Sequence, residues 1–217
     1  VDVVVKMETD LVLRQITDNA DLTLVDGQPL IWISKLYGRP LKMKVSGSDL
    51  VPTLLQAAAK EGRSVFVLGG KEDAARKAAE NIKARYSGLV MAGAPSPRMG
   101  FEKKPEEVAY IRETLQKVKP DILLACFGCP KQEKWVSEHY RDCASGVTLC
   151  AGATVDFLAG NIKRAPKVFS ENGLEWFYRF VKEPKRLFHR YFVDDMQIFR
   201  LAWKYRNAGP EHDSDVK

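Results

Sequence analysis

Residues 120–135 read PDILLACFGCPKQEKW, which is a continuous apolar run, a glycine, a proline and then a polar stretch. An apolar run of this length is typical of a strand that is covered on both faces of a parallel sheet. Proline is tolerated in the first turn of a helix, so the segment predicts a strand, a tight turn and a helix. The same order recurs along the chain.

The recurrence predicts an alternation of strands and helices. The predicted strands are Asp21–Val25, Ser64–Leu68, Leu89–Ala92, Ile122–Phe127 and Val147–Ala151. The predicted helices are Pro29–Tyr37, Ser48–Glu61, Glu72–Tyr86, Pro105–Val118 and Pro130–Tyr140. This alternation favours a Rossmann-like, doubly wound α/β domain with a mainly parallel sheet, which we expect to span residues 1–161.

The charge is concentrated after that domain. The chain has 34 Lys and Arg against 28 Asp and Glu, a net charge of +6, and residues 162–206 alone hold 11 basic and 5 acidic residues. The same stretch holds 11 of the aromatic residues. We therefore expect a basic, aromatic helical appendage at 162–206, interrupted at Pro184, and a disordered polar tail at 207–217.

Composition narrows the class of protein. A hydrophobic content of 45% does not suit a disordered chain, and 4 Cys are too few for a disulfide scaffold. No uncharged run reaches the roughly 18 apolar residues of a membrane span, and no basic region precedes an apolar one at the start. We expect a cytoplasmic protein that binds the membrane peripherally, if at all.

Glycines follow the predicted strands at the edge where doubly wound sheets bind ligands. A glycine there lets a ligand approach the backbone, although any single one is more simply a loop glycine. Several such ends together favour a nucleotide-type ligand. The strand-end residues are Gly69, Gly70, Gly93, Gly128 and Gly152, together with the Asp26-Gly27 pair.

Four side chains beside these ends are candidates for chemistry. Asp26 follows a predicted strand and could be a general base in the crevice, or equally the cap of the next helix. Gln132 and Glu133 lie in the first turn of the helix after GCPK, where we expect them to face the same crevice. Lys131 could meet a phosphate group.

The appendage carries a row of basic residues. Arg179, Lys182, Arg186 and Arg190 are spaced 3, 4 and 4 residues apart, which puts them on one helical face, and Arg164 precedes them. Guanidinium groups suit a diphosphate because they donate two parallel hydrogen bonds. A solvated basic face is the alternative. Aromatic residues among basic ones suit an anionic membrane surface.

Metal and redox signals are weak. Cys126 and Cys129 form a C-x-x-C pair, but Cys143 and Cys150 are seven residues apart and complete no zinc site. The D-x-D triplet at 213–215 lies in the polar tail, and no G-x-G-x-x-G follows a strand. We expect no metal and no cofactor.

Four blocks, taken together and in order, resemble the WecG/TagA/CpsF family of bacterial glycosyltransferases, the TagA-like N-acetylmannosaminyltransferases among them. The resemblance covers about residues 1–190. The blocks are ADLTLVDGQPLIWISKLYG with VSGSDL, then VFVLGG, then PDILLACFGCPKQEKW, then AGATVDFLAGNIKRAP with GLEWFYRFVKEPKRLFHRY.

The resemblance implies an activity. It implies an inverting, metal-independent transfer of an N-acetylmannosamine-type or related hexose from a UDP-sugar to a polyprenyl-diphosphate-linked saccharide at the inner face of the membrane. Such reactions build teichoic acid, common antigen or capsule.

The resemblance also implies roles for residues. Asp26 would be the catalytic base, with Gln132 beside it. The substrate contacts would come from Gly69, Gly70, Gly128, Lys131, Glu133, Arg164, Arg179, Arg186 and Arg190. The family pattern has a further strand that ends in Thr-x-Asn just before the position of Val1; this sequence lacks it, so we expect part of the active site to be absent from this chain.

Two other classes remain open from the sequence. A nucleic-acid-binding α/β protein would fit the pI of about 9.1. However, no nucleic-acid-binding motif is present, and the DGQP and PKQE blocks would then have no function. A non-catalytic assembly protein would fit a chain without the Thr-x-Asn strand. We expect no nucleic-acid partner, and a homo-oligomer is compatible with the sequence.

Overall fold

A computed structural model describes residues 1–71, 73–162, 175–182 and 184–207. Its four strands form one parallel sheet in the order β2-β1-β3-β4. They are β1 (Ser64–Gly69), β2 (Val90–Gly93), β3 (Ile122–Cys126) and β4 (Val147–Cys150). The four runs predicted between residues 64 and 151 are thus confirmed as strands.

Helices precede, separate and follow these strands. They are α1 (Asp2–Met7), α2 (Leu11–Asp18), α3 (Gln28–Leu36), α4 (Gly47–Lys60), α5 (Ala74–Arg85), α6 (Pro105–Val118), α7 (Lys131–His139), α8 (Thr154–Leu158), α9 (Glu175–Lys182), α10 (Pro184–His189) and α11 (Gln197–Lys204). A 3-10 turn (Phe101–Lys103) precedes α6, and a π-helical turn (Arg190–Asp194) follows α10. The five predicted helices between residues 28 and 140 are present.

Helices cover both faces of the sheet. Alternate residues of β1 point to opposite sides, so Val65 and Val67 pack with α4, α5 and α8, while Phe66 and Leu68 pack with α6 and α7. Both sets are almost completely buried. The strands therefore read as continuous apolar runs, and the doubly wound α/β architecture predicted from the sequence is confirmed.

Ser64 and Asp121 join the starts of β1 and β3. The Asp121 carboxylate accepts hydrogen bonds from the N–H of Ser64 (2.8 Å) and from its hydroxyl (2.7 Å), and the Asp121 N–H donates to the same hydroxyl (2.9 Å). These bonds, with a contribution from Arg63, hold the pKa of Asp121 below its usual range.

The chain divides into two compact units. The α/β unit contains residues 12–21 and 45–164, and the other unit contains residues 1–11, 22–44 and 165–217. The predicted boundary near 161 lies close to the end of the α/β unit, but the first segments of the chain group with the appendage. Within that second unit, Glu8 pairs with Lys204 and accepts a hydrogen bond from the Tyr205 hydroxyl at 3.0 Å.

The strand predicted at Asp21–Val25 is wrong. These residues have no regular secondary structure, and Leu22 is 72% exposed. An apolar run becomes a strand only where a neighbour completes its hydrogen-bond ladder, and no strand pairs with this run in the part of the chain that the structure describes. The tail expected to be disordered falls at residues 208–217, outside the described residues.

Candidate active site

The strand order places a ligand crevice at β1 and β3. The chain leaves β1 for β2 on one side and later returns to β3 on the other, with α5 and α6 on opposite faces of the sheet. In doubly wound sheets ligands bind at such a reversal, beyond the carboxyl ends of the two strands. The turns that open there are Gly69–Gly70 after β1 and Phe127–Gly128 after β3.

The glycines after β1 shape this crevice through close packing. Gly69 has a φ of +106°, and a Cβ on it would lie 2.9 Å from the carbonyl group of Cys126. Its N–H donates to the Pro95 carbonyl (3.0 Å), while the Gly70 N–H donates to the Cys126 carbonyl (2.8 Å). Both N–H groups are thus used inside the protein, so the two glycines bring the ends of β1 and β3 together.

Gln132 ties the end of β3 to the end of β4. Its Oε1 accepts hydrogen bonds from the N–H of Gly128 (3.1 Å) and from that of Gly152 (3.2 Å). Only 3% of Gln132 is exposed. Gln132 was predicted at the strand ends, but its bond to Gly152 was not, because a bond between residues 20 positions apart leaves no local pattern.

Glu133 lies beside the Gln132 amide. Its Oε1 accepts a hydrogen bond from Gln132 Nε2 at 2.8 Å, and its Oε2 is buried with no hydrogen-bond partner among the described residues. The Glu133 carboxylate is also near Cys150. Although Cys150 keeps exposed surface, desolvation of its thiol raises the pKa of Cys150, and the charge of Glu133 raises it further. Burial raises the pKa of Cys126 to about 12.

Lys131 has a partner within the protein. Its ammonium lies 3.4 Å from the Glu102 carboxylate, and its side chain is 49% exposed. The Glu102 side chain is only 13% exposed, so Lys131 reaches from the surface to a largely buried carboxylate.

The helix α4 begins beside the end of β4. A Cβ on Gly47 would lie 2.8 Å from Thr154 Oγ1, so a glycine is needed there. Ser46 and Ser48 are buried and share a hydrogen bond between their hydroxyls (2.9 Å). The SGSD block was noted in the sequence, but its role at this strand end was not predicted. Its glycine, flanked by two serines, was the available signal.

Asp26 lies in the other unit and is exposed. The N-cap position of α3 belongs to Gly27, so Asp26 lies one residue before the cap. The Asp26 carbonyl accepts a hydrogen bond from the amino group of Val1 at 2.9 Å, and Gly27 has a φ of +138°.

The basic residues predicted as substrate contacts in the appendage lie mostly outside the part of the structure that is described. Arg164 lies outside the described residues, and so do the side chains of Arg179, Arg186 and Arg190, whose backbones lie in α9, α10 and the π-helical turn. Pro184, where an interruption was predicted, is the first residue of α10.

Metal sites and membrane spans were searched among the described residues. No group of three or more His, Cys, Asp or Glu side chains there is arranged to hold a metal ion. None of the helices in those ranges is both long enough and apolar enough to cross a membrane.

The comparison with known protein families supports the family resemblance that the sequence blocks at the strand ends indicated. The profile of the glycosyl transferase WecG/TagA/CpsF family matches residues 1–211. The chain belongs to this family. The enzyme class that the motifs predict, a glycosyltransferase, is thereby confirmed.

Two relatives carry the same name in different bacilli. They are the N-acetylglucosaminyldiphosphoundecaprenol N-acetyl-beta-D-mannosaminyltransferases of Bacillus spizizenii and Bacillus subtilis strain 168. The first is 29% identical over 93% of this chain and 76% of its own length. The second is 26% identical over 79% of this chain and 64% of its own length, slightly less than two thirds.

Proposed function

We propose that this member of the WecG/TagA/CpsF family transfers a sugar from a UDP-sugar to a polyprenyl-diphosphate-linked saccharide. The observation that carries the proposal is the reversal of strand order between β1 and β3, flanked by the Gly69–Gly70 and Gly128 turns, in a chain of this family, because doubly wound sheets bind ligands at such a reversal. Such a position suits a nucleotide.

The donor and acceptor follow the names of the relatives. Those names describe the transfer of N-acetylmannosamine to an N-acetylglucosaminyldiphosphoundecaprenol. For this chain the donor is of the UDP-N-acetylmannosamine type or a related hexose, and the product enters a cell-surface polysaccharide such as teichoic acid, common antigen or capsule.

The transfer inverts the anomeric carbon in one step. The acceptor hydroxyl oxygen attacks this carbon from the face opposite UDP, its proton passes to the Asp26 carboxylate, and the bond between the carbon and the UDP oxygen breaks. Asp26 is suited to this role because it carries a carboxylate and is exposed. A positioned base of this type contributes about 10²–10⁴-fold to the rate.

The leaving UDP gains negative charge, which cationic groups stabilise. Lys131 supplies one such group at the β3 end. Arg164, Arg179, Arg186 and Arg190 supply the others, and no metal ion is required for this step.

The appendage binds the inner face of the cytoplasmic membrane. Large apolar side chains of α9 to α11 are exposed, with Trp203 at 67%, Val181 at 60% and Phe188 at 57%. A cation lies beside one of these side chains: the Arg206 guanidinium is 4.0 Å from the Trp203 ring centre. A basic, aromatic surface of this kind suits an anionic bilayer, which also holds the polyprenyl acceptor.

The test combines binding and turnover. Calorimetry with UDP in the presence of EDTA measures metal-free binding, and UDP release from a panel of UDP-sugars with a lipid-diphosphate-GlcNAc analogue measures transfer. We expect UDP to bind in EDTA and one UDP-sugar to support release that depends on the acceptor. Binding that requires Mn²⁺ or Mg²⁺ would contradict the metal-free step, and the absence of release with every donor would contradict the activity.

A further inference from the structure

The amide oxygen of Gln132 is fully used by the protein itself. It accepts the N–H of Gly128, which follows β3, and the N–H of Gly152, which follows β4, at 3.1 and 3.2 Å. An amide oxygen has two lone pairs, so these two donors leave none for a substrate atom. Only 3% of Gln132 is exposed, in keeping with these contacts inside the protein.

The amide nitrogen of Gln132 holds Glu133 in one orientation. It donates to Glu133 Oε1 at 2.8 Å, and Glu133 Oε2 is buried without a donor from the part of the chain that the structure describes. Burial of a carboxylate oxygen without a hydrogen bond costs free energy, so a donor brought by a ligand would bind there favourably. A carboxylate only accepts hydrogen bonds and repels phosphate. The matching ligand group is therefore a hydrogen-bond donor, and hydroxyls are the most numerous donors of a nucleotide sugar.

We propose that Gln132 is a positioning residue that aims Glu133, and that Glu133 Oε2 accepts a hydroxyl of the nucleotide sugar. This inference rests on the proposed function, because a UDP-sugar supplies hydroxyls on the ribose and on the transferred sugar. Gln132 links the β3 and β4 turns, so the direction of Glu133 depends on both strand ends. In other doubly wound sheets an acidic residue holds ribose hydroxyls in the same way.

Glu133 is tested with ligands that lack single hydroxyls. Calorimetry on the full chain compares UDP, 2′-deoxy-UDP, 3′-deoxy-UDP and UDP-N-acetylmannosamine. Loss of the accepted hydroxyl should weaken wild-type binding by about 10- to 100-fold, and Glu133→Gln should reduce this penalty to a few-fold. If the hydroxyl belongs to the sugar, Glu133→Gln should weaken UDP-N-acetylmannosamine binding and spare UDP. Glu138→Gln is the matched control, since Glu138 lies on the same helix and its side chain is 75% exposed.

Gln132 is tested through its partner. Gln132→Glu keeps an oxygen for both glycine N–H groups but removes the N–H given to Glu133, so it should lose the same hydroxyl discrimination. The double exchange of Gln132→Glu with Glu133→Gln restores an N–H to oxygen bond between the two side chains in the reverse sense. It should recover part of the discrimination, which a purely structural role would not do.

The outcomes distinguish a failure of this inference from a failure of the proposed function on which it rests. Failure of the wild-type chain to bind UDP or UDP-N-acetylmannosamine overturns the proposed function and the inference together. Wild-type binding with equal losses in Glu133→Gln for all four ligands overturns the inference alone. Loss of discrimination in Gln132→Glu with no recovery in the double exchange overturns the positioning role.

Discussion

The side-chain oxygen of Gln132 accepts the N–H of Gly152 at 3.2 Å, a contact between residues on two different strand ends. The same oxygen accepts the N–H of Gly128. One buried side chain therefore fixes two of the turns that border the crevice. The geometry of this edge of the sheet depends on a tertiary contact as much as on the glycines themselves.

Replacement of Gly69 should disturb the crevice more than replacement of a glycine in open space. Gly69→Ala places a Cβ 2.9 Å from the Cys126 carbonyl, and backbone atoms there cannot move cheaply. Gly100→Ala is the matched control, because Gly100 also has a positive φ (+87°) but no atom lies within 4 Å of its added Cβ. Gly69→Ala should lower the free energy of unfolding by about 1–3 kcal/mol more than Gly100→Ala, measured by urea denaturation. Equal losses would contradict the packing role.

Removal of the proposed base should affect turnover more than binding. Asp26→Asn should lower kcat by about 10²–10⁴-fold while UDP affinity stays within a few-fold, because a base acts in the transition state. UDP release gives the rate and calorimetry gives the affinity. Asp21→Asn, an exposed carboxylate five residues earlier, is the control and should leave both unchanged. A wild-type rate in Asp26→Asn at saturating substrates would remove Asp26 from the role.

Acid should weaken the junction between Ser64 and Asp121. The pKa of Asp121 is lowered in the folded chain, mainly by hydrogen bonds from Ser64, so the folded state favours the carboxylate. This contribution is present above the unfolded pKa of about 3.9 and is lost as the pH falls through the lower folded pKa. Asp121→Asn should be less stable than wild type at pH 7 and should show a smaller loss below pH 4. Urea midpoints measure this, with the exposed Glu113→Gln as control. Parallel pH curves for wild type and Asp121→Asn would contradict the assignment.

The exposed aromatics of the appendage should govern vesicle binding. Trp203→Ser and Phe188→Ser should reduce co-sedimentation with anionic vesicles and leave UDP release with a soluble acceptor analogue unchanged, because each ring adds apolar area at the interface. Tyr110→Ser removes a ring that is 70% exposed on α6 of the α/β unit and serves as the control. Co-sedimentation that falls equally in all three variants would contradict a role for the appendage.

The sequence by itself determined the strands β1 to β4 and the helices between them. Val65 to Leu68 and Ile122 to Cys126 are apolar without a break, and this pattern is local because both faces of each strand are buried. The candidate residues Gly69, Gly128, Gln132 and Glu133 were also visible, since each follows directly from the end of such a run.

Tertiary structure decided what local patterns cannot encode. Asp21–Val25 has the apolar character of a strand but lacks a partner ladder in the described chain, and so it forms none. The reversal between β1 and β3, the grouping of residues 1–11 with the appendage and the bond from Gly152 to Gln132 all join segments distant in sequence. Such contacts depend on which chain ends meet in space, because hydrogen bonds and packing act over a few ångströms regardless of sequence separation.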